Sequence, residues 1–110
     1  MPVYNGEEHL AEAIDSILAQ TFSTFEFIII DDASTDRTPC ILRQYAEKDS
    51  RIRIITNEMN KKIAVSLNSG IAEARSPLVA RMDADDWSAP ERLEKQFTFM
   101  QAKPEVGICG

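Results

Sequence analysis

The sequence predicts an α/β fold with a mostly parallel open sheet and helices on both faces, and three observations carry that prediction. Short apolar runs rich in β-branched residues alternate with amphipathic segments along the whole chain. The runs are too short for helices, and three of them stop at Asp or Asn, as buried strands stop at turn-forming residues. The resulting βαβαβ order implies parallel strands joined by right-handed crossovers.

Pro2-Val3-Tyr4 reads as the last residues of a strand. Asn5 and Glu8 have capping-box spacing, and Leu10, Ile14, Ile17 and Leu18 then share one helical face until about Gln20. Phe25–Ile30 is aromatic and β-branched, which suits a buried strand. Ala33–Pro39 is rich in capping residues, with Pro39 where a first turn tolerates it. The helix that follows should reach about Lys48 and bury Ile41, Leu42 and Tyr45. Arg51–Ile55 is the next strand. Ile63, Leu67, Ile71 and Ala74 mark an amphipathic helix that Ser76-Pro77 should stop. Leu78–Met82 is a further strand running into Asp83-Ala84-Asp85-Asp86. Ser88 and Glu91 form a second capping box, with Pro90 in the first turn of a helix to about Ala102. Val106–Cys109 is the last strand. Both ends fall within strands, so residues 1–110 are expected to form a single, partial domain.

Composition narrows the function. With 12 Lys+Arg against 18 Asp+Glu the formal charge is -6, which argues against a nucleic-acid-binding surface. Cys40 and Cys109 fit no metal or redox spacing and are expected as thiols in a reducing cytoplasm. No apolar run approaches the roughly 20 residues of a membrane span. A soluble, cytoplasmic chain is the expectation.

In open α/β sheets, ligands bind beyond the carboxyl ends of the strands. Tyr4, Asn5, Asp31, Asp32, Asn57, Asp83, Asp85 and Asp86 all fall there. Five carboxylates on one edge repel unless something positive joins them. Oxygen-only ligands favour Mg²⁺ or Mn²⁺, which keeps one or two carboxylates and completes its shell with substrate phosphates. Neither a P-loop nor a dinucleotide fingerprint follows any strand, so the metal would have to neutralise a bound diphosphate. Each motif also has a plainer reading. Asp83–Asp86 can be an acidic loop ahead of a capped helix, Asp31-Asp32 a strand-ending turn, and Ser34, Thr35 and Asp36 simple caps. Tyr4 can be a rim aromatic and His9 an exposed first-turn residue.

Pro2-Val3-Tyr4-Asn5, Asp31-Asp32-Ala33-Ser34-Thr35-Asp36 and Asp83-Ala84-Asp85-Asp86, in this order, resemble the family 2 glycosyltransferases of the GT-A fold, a Rossmann-like architecture. Ser16–Phe22, Leu67–Ile71 and Pro90–Leu93 support the resemblance, which spans essentially the whole chain. It implies an inverting transferase that moves a sugar from a nucleotide-diphosphate-sugar, UDP-sugars favoured, to an acceptor hydroxyl. Nucleotide binding would fall to Pro2, Tyr4, Asp32 and Asp83, with Tyr4 against the base, Asp32 on an imide N–H, and Asp83 near the ribose and diphosphate. Asp85 would be the main metal ligand of the D-x-D motif and Asp86 the second. Ala33, Lys62 and Ser76 stand where the family often has Gly.

The resemblance places the catalytic base in a later, acceptor-binding half, beyond Gly110, and leaves this chain the donor-binding portion. Glycan, lipid or protein acceptors are implied, as in polysaccharide biosynthesis, with work at the cytoplasmic membrane face. Two other classes compete. A signalling receiver of flavodoxin-like topology also gathers strand-end aspartates around Mg²⁺, and a metal-dependent phosphatase also uses D-x-D.

Overall fold

A computed structural model describes residues 1–110. Its elements are β1 (Pro2–Val3), α1 (Leu10–Leu18), β2 (Phe27–Asp31), α2 (Thr38–Lys48), β3 (Ile52–Thr56), α3 (Lys62–Ala72) and α4 (Arg92–Ala102). The three strands are parallel and lie in sequence order, with β2 in the middle. Pro2 sits opposite Ile30, and β2 and β3 pair from Phe27 with Ile52 to Asp31 with Thr56. A receiver-type sheet would instead place the first strand between the second and third.

Strand side chains alternate between faces, and β2 serves a different layer on each. Phe27 and Ile29 join Val3, Ile52, Leu10, Ala13, Ile14, Ile17 and Leu42 in one core under α1 and α2. Tyr45 links those two helices, its hydroxyl donating to the Asp15 carboxylate at 2.9 Å. Ile30 faces the other way, toward Gly70 of α3, where a Cβ would come within 2.7 Å of the Ile30 Cδ1. Helices therefore cover both faces, as expected. Met82 is also buried in the first core.

The structure departs from expectation in five places. Neither Leu78–Met82 nor Val106–Cys109 joins the sheet. A strand needs a partner edge; β1 offers two paired residues, one of them Pro2, which has no N–H. Both segments instead line an apolar cleft of about 770 Å³ with Ile28, Ile30, Leu67 and Phe97.

Neither capping box forms. Asn5 is left-handed (φ 49°) and its side chain turns to Thr35, so α1 begins after His9. Ser88 is buried against α1, so α4 begins only at Arg92. The buried face of α3 is also rotated from the one predicted. Ser66 and Gly70 meet the interior, while Ile63 and Ile71 are exposed. Close backbone approach at Gly70 and a bonded Ser66 outweigh the apolar stripe.

Candidate functional site

The alternation that splits β2 between two layers also separates its terminal carboxylates. Asp31 ends β2 on the α2 side, and its Oδ1 accepts the Ser34 N–H at 3.0 Å. Asp32 leaves on the α3 side. Its Oδ1 accepts the Asn57 amide at 2.7 Å and the Lys61 N–H at 2.8 Å, and its Oδ2 accepts the Lys62 N–H at 2.9 Å. One aspartate closes the β2–α2 turn; the other holds the β3–α3 loop.

Asp32 is 3% exposed. Burial alone would push its carboxyl up, but the hydrogen bonds from Lys61, Asn57, Ser66 and Lys62 outweigh it and hold it below the usual aspartate range. It is thus an ionised, acceptor-only group.

Tyr4 follows β1 and is half-exposed, so its ring presents a face at the same edge. Pro2 is buried within β1, so its side chain is packed rather than presented. The loops after β1 and β2 are clasped by main-chain-to-side-chain bonds. Asn5 and Gly6 N–H donate to Ser34 Oγ and Thr38 Oγ1, at 3.0 and 2.9 Å. Thr35 N–H donates to Asn5 Oδ1 at 2.8 Å. Glu7 N–H reaches Asp36 Oδ2 at 3.1 Å, and Arg37 N–H reaches Glu7 Oε2 at 3.0 Å. Asp36 also accepts the Thr38 N–H at 2.9 Å, a capping role at the start of α2.

The acidic loop lies beside this clasp, with Ala84 within 4.0 Å of where a Gly6 Cβ would sit. Its carboxylates do not converge. Asp83 is engaged by Arg81 through both oxygens, at 2.8 and 2.9 Å. Asp86 lies at 3.4 Å from the Asp83 N–H, while Asp85 is exposed and holds no hydrogen bond. No three His, Cys, Asp or Glu side chains gather as a ready-made metal cage. Asp31, Asp32 and Asp83 are instead satisfied separately, by main-chain donors, the Asn57 amide and Arg81, while Asp85 keeps no partner. A hard cation that takes one or two carboxylates and completes its shell from a ligand still fits Asp85 and Asp86, both exposed oxygen donors.

Sequence reasoning missed the residues that hold these groups. The buried Gln20 amide donates to Ala89 O at 2.7 Å, and its carbonyl accepts the Leu93 N–H at 3.0 Å. Ser88 N–H adds a bond to Ser16 Oγ at 3.1 Å. The end of α1 therefore fixes the segment just after the acidic loop. Asn57 was visible only as a strand-end polar residue, and Ser66 only as a polar break on a helix. His9 is exposed and caps nothing with its side chain.

The sequence model described as Glycosyl transferase family 2 matches residues 1–110. EpsE of Bacillus subtilis is 46% identical over 111 residues, covering 100% of this chain and 40% of that protein. The O-antigen biosynthesis glycosyltransferase WbnJ of Escherichia coli is 38% identical, covering 91% of this chain and 39% of its own length. This chain therefore spans well under half of those relatives. Among solved structures, the mannosyltransferase PcManGT of Pyrobaculum calidifontis, in complex with GDP-Man and Mn²⁺, superposes with a TM-score of 0.87. It is 30% identical, and the match covers 96% of this chain and 32% of that one. S. aureus TarS in complex with UDP-GlcNAc gives 0.86 at 28% identity, over 94% of this chain and 30% of that one.

Proposed function

Because the chain belongs to glycosyl transferase family 2, with a GT-A fold, we propose that it forms the nucleotide-sugar-binding portion of an inverting, divalent-metal-dependent transferase. The carrying observation is the buried Asp32 carboxylate, bonded to the Asn57 amide and to two main-chain N–H groups of the loop after β3. An acceptor-only carboxylate suits the imide N–H of a base, and the exposed ring of Tyr4 suits the base's face. A UDP-sugar is the favoured donor, and a hexosyl or N-acetylhexosaminyl group the favoured cargo. TarS and PcManGT, solved with UDP-GlcNAc and with GDP-Man, bracket the choice.

Asp83 is assigned to the ribose and diphosphate end, which its pairing with Arg81 leaves accessible on an exposed loop. Asp85 and Asp86 would hold Mg²⁺ or Mn²⁺, as Mn²⁺ accompanies the donor in PcManGT. The cation supplies positive charge against the diphosphate. Pro2 contributes through its strand rather than its side chain. In the whole protein an acceptor hydroxyl attacks the anomeric carbon from the face opposite the diphosphate while a base takes its proton. We assign that base to none of these 110 residues. The chain alone is therefore expected to transfer no sugar at a useful rate; efficient transfer by it would overturn that part.

No helix is long and apolar enough to cross a membrane; acceptors presented at a membrane's cytoplasmic face would be met from the surface. Calorimetry with UDP, GDP and dTDP, with and without Mn²⁺, tests the reading on the native chain and on Asp85→Ala. Metal should strengthen binding to the native chain and not to the variant. Equal binding in all four conditions would sink it.

A further inference from the structure

We propose that Asn57 is a positioning residue that sets which nucleobases the site admits, by keeping Asp32 a fixed, acceptor-only carboxylate. The inference rests on the reading of Asp32 as the group that meets the base. Asn57 N–H donates to Asp31 O at 2.9 Å, which extends the β2–β3 ladder one residue past Thr56 and fixes the Asn57 backbone. Its side-chain amide then donates to Asp32 Oδ1 at 2.7 Å and to Ser66 Oγ at 3.1 Å. Asn57, Asp32 and Ser66 are 6%, 3% and 0% exposed, so water competes little for these bonds.

The charge state of Asp32 gives the selectivity. Its Oδ1 accepts from Asn57 and Lys61 and its Oδ2 from Lys62, so the group is held as a carboxylate with no proton to give. Such an acceptor suits a ring N–H, which uracil, thymine and guanine carry. Cytosine N3 and adenine N1 present a lone pair there instead, and a charged carboxylate repels it. Without the Asn57 amide, Oδ1 loses one of its two donors, and the carboxyl is freer to turn or take a proton. A protonated carboxyl can donate to cytosine or adenine, so discrimination would fall.

The test is calorimetry on the intact protein with Mn²⁺, comparing UDP with CDP for the native protein, Asn57→Ala and the similarly sized Asn57→Leu. The native protein should prefer UDP, and each substitution should lower the UDP-to-CDP affinity ratio by ~10-fold or more, as expected when a site built around a donor loses its matched acceptor. A merely structural role would weaken both ligands alike; an unchanged ratio in a folded variant would overturn the proposal. Should Asn57→Ala unfold, Asn57→Leu keeps the volume while removing the donor and carries the same expectation. Equal UDP and CDP binding by the native protein would instead overturn the base-binding role of Asp32 itself, which separates the two failures.

Discussion

The main-chain N–H of Lys62 donates to the Asp32 carboxylate at 2.9 Å, and Lys62 makes that bond from a left-handed backbone at φ 70°. Ala33, next to Asp32 in sequence, is left-handed as well, at φ 63°. Non-glycine residues pay about 1–2 kcal/mol for that conformation. The family resemblance implies a frequent Gly at both positions, the residue that adopts such a backbone at no steric cost.

Lys62→Gly and Ala33→Gly are accordingly expected to stabilise the fold by about 0.5–1 kcal/mol each, the relief of strain outweighing the added freedom of the unfolded chain. A higher denaturant midpoint at unchanged slope is the readout. Ala33→Val should lower it.

Asp32 also predicts a pH dependence. Its folded carboxyl is held below the ordinary aspartate value because donors outweigh the effect of burial. A depressed carboxylate stabilises the fold above the unfolded pKa, about 3.9, and that stabilisation fades as pH falls from there through the folded value. Asp36 shifts in the same direction, burial again being outweighed, here by bonds from Thr38 and Glu7. Asp32→Asn should flatten the acid limb of a stability-against-pH curve while lowering stability at pH 7 by ~2–3 kcal/mol through poorly matched buried donors.

Gln20→Ala removes a buried side chain that ties α1 to the segment after the acidic loop. We expect a loss of ~2–4 kcal/mol by chemical denaturation. Metal-assisted nucleotide binding should weaken further, because the support of the Asp83–Asp86 loop goes with it. Preserved binding in the folded variant would show that the loop needs no such anchor.

Asp85→Ala separates function from stability. Its side chain is exposed and holds no bond, so the unfolding free energy should stay within about 0.5 kcal/mol of native while the Mn²⁺ enhancement of UDP binding disappears.

Gly6→Ala probes the packing behind Tyr4. A Cβ there would sit 2.7 Å from Val3 Cγ2, a stiff and buried neighbour. A cost of ~1–3 kcal/mol is expected from overpacking, measurable by thermal or chemical unfolding.

Much of the fold was legible because helix and strand periodicity are local. Leu10, Ile14 and Ile17 on α1, and Leu42 on α2, face the core as their spacing predicts. The strand at Phe27–Asp31 was marked by its β-branched run and its acidic stop. What failed depended on partners distant in sequence. Leu78–Met82 has strand composition, but composition cannot supply an edge to pair with. Asn5 and Ser88 have the right spacing for caps, yet Thr35 and Ser16, far along the chain, take their bonding groups instead. The acidic residues were legible as strand-end groups. That Asp31 and Asp32 serve opposite faces, and that Arg81 occupies Asp83, followed only from three-dimensional placement.

The clasp between the loops after β1 and β2 leaves the carboxyl edge of the sheet with a stiff part and a free part. In the part proposed to meet the base, reciprocal bonds among Asn5, Glu7, Ser34, Asp36 and Thr38 leave little to be ordered when a ligand arrives. In the part proposed to meet the phosphates, Asp85 has no partner and Asp86 only a 3.4 Å contact, so the entropy lost on binding would fall mainly there. On the proposed reading, nucleotide identity would be checked against a rigid template, whereas the diphosphate and its cation would meet a compliant one. Base substitutions should then act chiefly on dissociation rates, and changes of metal or sugar on how fast the acidic arm settles.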